Sequence, residues 1–265
     1  MRSDAVLLDL DGVLYVEDEP VPDAREAVAA LRDLGLGLRF VTNTTARPRR
    51  LILERLERLG FAVAPDELVT PAALAVRRCR DRGHTRVALL MNDDVKEDFA
   101  ALETVDDGAH AVIVGDLGRD FAYEPLNRAF RMLMDGAELV ALQKNRYWLT
   151  PDGLSLDVGP FVAALEYASG RSADVVGKPA PAFFEATLAT LGVAPHHAVM
   201  VGDDVESDVG GALAAGLVGI LVRTGKYRKE AVLTSGILPT VTVDSIADVP
   251  ALLTDRGGTA DTRRA

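Results

Sequence analysis

The chain has 265 residues, 48% of them hydrophobic and 26% charged, with a formal net charge of −11. Such a composition can bury a core and excludes an intrinsically disordered chain. The acidic balance excludes a dominant basic footprint for nucleic acid, and the longest uncharged apolar stretch, Val209 to Val222, is too short to span a bilayer.

Met1-Arg2-Ser3-Asp4 leads directly into an apolar run with no long h-region, so no signal peptide is expected. Ala5 to Leu10 reads as a buried strand, and Pro22 to Leu34 as a helix stopped by Gly35 and Gly37. Leu38 to Val41 is the next buried strand. Arg47 to Leu59 is helical, its basic run being the solvated face of an amphipathic helix. A short strand at Glu67–Thr70 and a helix at Ala72–Arg82 follow. The lone cysteine, Cys79, rules out an internal disulfide, and the expected compartment is cytoplasmic.

A second block begins near Gly83. Its predicted strands are Val87–Met91, Ala111–Val114 and Leu139–Leu142, with helices at Val95–Leu102 and Tyr123–Met134. Arg146–Leu149 and Leu154–Leu156 read as a hairpin closed by Pro151-Asp152-Gly153. Tyr147 and Trp148 in it read as packing residues rather than stacking platforms. After helix Phe161–Ala168 and strand Asp174–Val176, the first pattern resumes: helix Ala182–Leu191, strand Ala198–Val201, helix Ser207–Ala215, strand Val218–Val222.

Alternating strands and helices with continuous apolar strands predict an α/β fold, a Rossmann-like parallel-sheet core interrupted by an inserted α/β domain. The expected division is core over 1–82, insert over 83–171, core again over 172–255 and a frayed tail over 256–265.

Four expected strand ends carry reactive groups: Asp9-Leu10-Asp11-Gly12, Thr42-Asn43-Thr44, Gly177-Lys178-Pro179 and Gly202-Asp203-Asp204-Val205-Glu206-Ser207-Asp208. Residues two apart on a strand face the same way, so Asp9 and Asp11 can share one side. Ligands of open parallel sheets bind beyond the carboxyl ends of the strands. A carboxylate attacking phosphate meets a repulsion of about 4 kcal/mol at about 4 Å and a dielectric near 20. Asp9 and Asp203 can hold Mg²⁺ to offset it, Lys178 adds a second positive charge, and Thr42 with nearby N–H groups can bind phosphoryl oxygens.

Other motifs read blandly. Gly35-x-Gly37 precedes its strand and is no dinucleotide fingerprint, and Gly225-Lys226 lacks the spacing of a phosphate-binding P-loop. His196-His197 reads as a solvated turn rather than a metal site.

The four stretches in this order resemble the haloacid-dehalogenase (HAD)-like hydrolase superfamily over nearly the whole chain. The inserted block resembles the α/β cap of its NagD-like subfamily. Val175-Val176-Gly177-Lys178-Pro179, Val201-Gly202-Asp203-Asp204 and Arg223-Thr224-Gly225-Lys226-Tyr227 resemble the HAD-like hydrolase domain-containing proteins and the phospholysine/phosphohistidine/inorganic pyrophosphate phosphatases. The resemblance implies a phosphatase acting on a small phosphorylated molecule through an aspartyl-phosphate, with Mg²⁺ as cofactor. By position it makes Asp9 nucleophile and metal ligand, and Asp11 general acid and base with its carbonyl on the metal. Thr42, Asn43 and Lys178 bind phosphate, and Asp203 completes the metal site. Of Asp204 and Asp208, one supports the centre and the other is a helix-terminal acid. Threonine at 42 stands where many relatives have serine and keeps the hydroxyl. Gln143-Lys144-Asn145-Arg146 of the cap faces the site by the same resemblance, although a solvated hairpin edge suits Lys144 and Arg146 equally well. Pairing of two copies through the cap is implied too. A phosphotransferase on the same scaffold and a non-catalytic phospho-ligand-binding protein stay open as alternatives. A dehalogenase is disfavoured, because it has no need of a leaving-group acid at Asp11.

Overall fold

The computed structural model describes residues 3–150 and 153–254. It is an α/β protein with two compact units. The first comprises Met1–Val41, Glu57–Glu67 and Phe184–Ala265; the second comprises Thr42–Leu56 and Leu68–Phe183.

Five strands of the first unit run parallel in the order Val241–Val243, Val218–Val222, Ala198–Gly202, Ala5–Asp9, Gly37–Val41. Ala5–Asp9 and Ala198–Gly202 are buried at every position, which is why both read as continuous apolar runs. Parallel strands put all their carboxyl ends on one edge. The register there sets Asp9 against Val41, and Leu8 against Val201. Asp9 and the residue after Gly202 therefore arrive at the same edge. Helix Ala24–Asp33 buries Ala24, Ala27, Val28 and Leu31, one helical stripe, and ends where Gly35 turns with φ +71°.

The second unit carries its own parallel sheet of 5 strands, in the order Asp174–Val175, Glu138–Ala141, Ala111–Val114, Arg86–Leu90, Glu103–Thr104. Strand alternation divides its apolar residues between two cores. Val87, Ala111, Ile113 and Val140 pack with Phe99 and Met91 on one face. Ala88, Val112, Val114 and Leu139 pack with Leu133 and Val162 on the other. Phe99 is fully buried in the first of these. Phe99→Ala is expected to cost about 3–5 kcal/mol, measured by urea unfolding. A cost below about 1 kcal/mol would mean that the face collapses around the gap.

Several expectations need correction. The helix at Val95–Leu102 is a run of 3₁₀ turns, Asp93–Phe99. Val95 and Phe99 still reach the core. Ser207–Ala215 splits into a π-helical turn, Val205–Gly210, and a short α-helix, Gly211–Ala214. Strand Asp174–Val175, expected among the returning core elements, pairs instead with Glu138–Ala141 of the second sheet. The hairpin forms between Tyr147–Thr150 and Gly153–Leu156, while Pro151 and Asp152 of its expected turn lie outside the described residues, as does the 256–265 tail. Tyr147 and Trp148 do not pack as expected: they are 53% and 55% exposed. A two-stranded ribbon has too little second layer to cover both faces. Elements absent from the sequence reading are the two-residue strands at Tyr15–Val16, Glu19–Pro20 and Glu103–Thr104, helices Lys229–Ser235 and Val249–Thr254, and strand Val241–Val243. No helix among the described residues is long and apolar enough to cross a membrane.

Candidate active site

Asp9 is the last residue of its strand and is buried. The strand ends there, so Asp11 lies in the following turn, and strand alternation does not fix its direction as expected. A short bridge to Tyr15 holds that turn instead. Gly12 N–H donates to the Tyr15 carbonyl at 2.7 Å, and Tyr15 Oη donates to Asp11 Oδ2 at 3.4 Å. Asp11 is exposed.

Asp203 follows the strand beside Asp9 and is 2% exposed. Its Oδ2 accepts the Lys226 N–H at 2.7 Å, while the buried Oδ1 has no hydrogen-bond partner. Asp208 joins the pair by an unusual route. Asp204 caps the turn, its side chain accepting the Glu206 and Ser207 N–H groups at 2.9 and 3.0 Å. The π-helical turn then carries Asp208 back, so that its Oδ2 accepts the Asp204 N–H at 3.1 Å. Gly202 makes this approach possible, because a Cβ there would collide with the Asp208 carboxylate. One oxygen from each of Asp9, Asp203 and Asp208 lies within 4.8 Å of the others, all three residues being buried.

Ionised carboxylates at that spacing repel by about 3–4 kcal/mol per pair at an effective dielectric near 20. Burial, then the Asp9 and Asp208 carboxylates, push Asp203 up to about 8, against the opposing pull of Lys226. Desolvation lowers the Lys226 ammonium, but Asp203, Asp9, Asp204 and Asp208 outweigh it and hold its pKa above the usual lysine value. A buried all-oxygen donor set with one unpartnered carboxylate oxygen fits a hard divalent cation such as Mg²⁺.

The second unit holds the remaining expected site residues. Thr42 is buried and its Oγ1 accepts the Thr44 N–H at 3.1 Å. The Asn43 side chain exchanges two hydrogen bonds with the Lys178 backbone, receiving its N–H and donating to its carbonyl, each at 2.8 Å. Lys178 is 2% exposed. Gly177 is required beside it, since a Cβ would run into the Leu142 carbonyl. Lys144 is engaged elsewhere, pairing with Glu166 at 2.6 Å, and the Arg146 guanidinium lies 5.6 Å from the Tyr147 ring centroid. His197 Nδ1 sits 2.7 Å from Asp4 Oδ2 in a 3₁₀ turn, as a solvated turn would have it.

In the sequence, Asp208 is one of two candidate supporting acids, and neither Thr224 nor Lys226 carries a signal of a role. The spacing of five between Asp203 and Asp208 carried no helical logic, because a π-helical turn joins them.

The chain matches the family described as haloacid dehalogenase-like hydrolase over residues 6–104, and a related HAD-hydrolase-like family over 175–249. It is 48% identical over 224 residues to haloacid dehalogenase-like hydrolase domain-containing protein 2 of Homo sapiens, covering 84% of this chain and 85% of that one. The chain belongs to the haloacid-dehalogenase-like hydrolase family. Human phospholysine phosphohistidine inorganic pyrophosphate phosphatase is 39% identical over 254 residues, 94% of this chain and 93% of its own. Among solved HAD structures, p-nitrophenyl phosphatase from Archaeoglobus fulgidus superposes with TM-score 0.89 at 30% identity, covering 96% of this chain and all of that one. NagD from E. coli gives 0.83 at 25%, covering 94% and 98%. Glycerol phosphate phosphatase from Mycobacterium tuberculosis, solved in complex with magnesium, gives 0.82 at 28%, covering 95% and 78%. The chain is a HAD-type phosphohydrolase with NagD-like structural neighbours, and its parallel-sheet α/β fold is the one expected.

Proposed function

We propose that this HAD hydrolase is a Mg²⁺-dependent phosphatase that removes phosphate from a small phosphorylated molecule through an aspartyl-phosphate on Asp9. The observation that carries the reading is the buried Asp9–Asp203–Asp208 cluster with its unpartnered Asp203 oxygen. Asp9, Asp203 and the Asp11 carbonyl would hold Mg²⁺, which supplies positive charge against the anionic phosphate. Asp208, inside the cluster, is the supporting acid in this reading, and Asp204 serves as the helix cap.

Asp9 attacks phosphorus with its second carboxylate oxygen. Asp11 gives a proton to the leaving oxygen, then takes one from the water that hydrolyses the aspartyl-phosphate. Thr42 and Asn43 hold the phosphoryl oxygens. Lys178 offsets the charge on nucleophile and phosphate, its backbone fixed by the Asn43 amide. The inserted block acts as a cap in this reading. Pairing of two copies through it is supported by the exposed Tyr147, Trp148, Leu154 and Leu156.

Phosphate release measured with and without Mg²⁺ tests the reading. Chelated protein is expected to be inactive. Asp203→Ala is expected to weaken Mg²⁺ binding by at least about 100-fold, since even residues behind the ligands are worth about 10–100-fold, with partial recovery in excess Mg²⁺. Full activity in chelator would overturn it. A panel of phosphate esters, pyrophosphate and phosphoramidates then identifies the substrate class.

A further inference from the structure

The segment after strand Val218–Val222, Arg223-Thr224-Gly225-Lys226, does no chemistry in the mechanism above, yet it makes direct contact with two of its loops. Thr224 Oγ1 donates a hydrogen bond to the carbonyl of Gly12, the residue after Asp11. Lys226 N–H donates to Asp203 Oδ2 at 2.7 Å. Gly225 lies between them so closely that a Cβ would collide with both the Asp203 carboxylate and Gly12 Cα. Gly12 is matched to it: a Cβ on that residue would also strike Asp203 Oδ2. Both glycines have positive φ, +83° at Gly12 and +61° at Gly225, where a side chain would add strain to the collision.

A carboxylate rotates about its Cβ–Cγ bond, so two equivalent oxygens compete for any one direction. Here the competition is removed. The Lys226 N–H engages Oδ2, and Oδ1 is left buried with no partner. A bond from a backbone N–H costs no side-chain entropy on the donor side. The Thr224 bond ties the same loop to the turn that carries Asp11, so one segment sets the distance between the two acidic loops.

We propose that Thr224-Gly225-Lys226 is the positioning element of the metal centre, fixing Asp203 Oδ1 toward the cation and the Gly12 turn toward Asp203. Thr224 and Lys226 are positioning residues that act through Asp203 and the Gly12 turn. The inference rests on the reading of Asp203 as a metal ligand.

Its test is metal affinity rather than turnover. Mn²⁺ binding to the full chain is measured by electron paramagnetic resonance of the free ion, with circular dichroism to verify folding. Thr224→Val keeps the branched shape and loses the hydroxyl; it is expected to weaken Mn²⁺ binding about tenfold, the low end of what ligand-orienting residues contribute. Thr224→Ser keeps the donor and is expected to bind within about twofold of wild type. Gly225→Ala, whose methyl displaces the Asp203 carboxylate, is expected to lose at least as much as Thr224→Val. Wild-type affinity in Thr224→Val, or equal weakening in Thr224→Val and Thr224→Ser, overturns the positioning role while leaving the metal site standing. Absence of Mn²⁺ binding to the wild-type chain overturns both. If Gly225→Ala fails to fold, the comparison of valine and serine at 224 decides alone.

Discussion

Asp9→Asn is expected to lower kcat by more than about 10⁴-fold on any phosphate substrate, with the fold intact. Removing the nucleophile of a catalytic unit typically costs this much or more, because the remaining groups have nothing to assist. The asparagine is nearly isosteric, so Asp9 stays in register with Val41 at the sheet edge. It also removes one of the carboxylates that push Asp203 upward. The variant should therefore melt no lower than wild type in the absence of metal, while binding Mg²⁺ more weakly. Hydrolysis of p-nitrophenyl phosphate at near the wild-type rate would exclude Asp9 as the nucleophile.

Asp11→Asn is expected to fail in a way that depends on the leaving group. An alkyl phosphate departs as a strongly basic alkoxide and needs a proton; a nitrophenolate is stable as an anion and needs it far less. Asparagine keeps the backbone carbonyl at position 11 but neither donates nor accepts the proton. The first, enzyme-phosphorylating step should fall by about 10²–10⁴-fold for an alkyl phosphate and much less for p-nitrophenyl phosphate. With Asp11 as the base for hydrolysis of the aspartyl-phosphate, as proposed, that step is expected to slow for both, and phosphoenzyme to accumulate with the activated ester. Rapid quench separates the two steps. Equal slowing of the first step for both esters, with no trapped phosphoenzyme, would make Asp11 a support of the turn held by Tyr15 and nothing more.

The elements that were legible in the sequence are those whose environment is uniform along their length. Val218–Val222 and Ala111–Val114 fall where expected, and their residues are buried nearly throughout. Tyr123–Met134 also falls where expected, because its apolar residues keep one helical stripe. Strands of two residues, such as Glu103–Thr104, are too short to show any period and exist only through a neighbour that pairs with them. The π-helical turn at Val205–Gly210 was hidden for a different reason. It is held by side chains returning to the backbone, Asp204 to residues 206 and 207 and Asp208 to residue 204, in a space that Gly202 leaves open. Local propensity does not contain that information.

The site divides in the same way. Asp9 and Asp203 could be placed by counting strand ends in a parallel sheet, and the sheet register brings them to one edge. Asp11 could be named but not aimed, because the strand stops two residues before it. Asp208 comes into the site through the π-helical turn, and Thr224 and Lys226 through long-range bonds to Gly12 and Asp203, so local periodicity gave none of them a role.

The central claim is a covalent phosphoryl group on Asp9. It is tested most directly by quenching wild-type enzyme in acid during turnover of p-nitrophenyl phosphate with Mg²⁺, then reducing with borohydride and sequencing the peptides by mass spectrometry. An acyl phosphate at Asp9 would be reduced to the corresponding alcohol, giving homoserine at position 9 only in samples quenched during turnover and not in Mg²⁺-free controls. Unmodified aspartate at position 9 under conditions where phosphate is being released, or a phosphoryl group on any other side chain, would contradict the account.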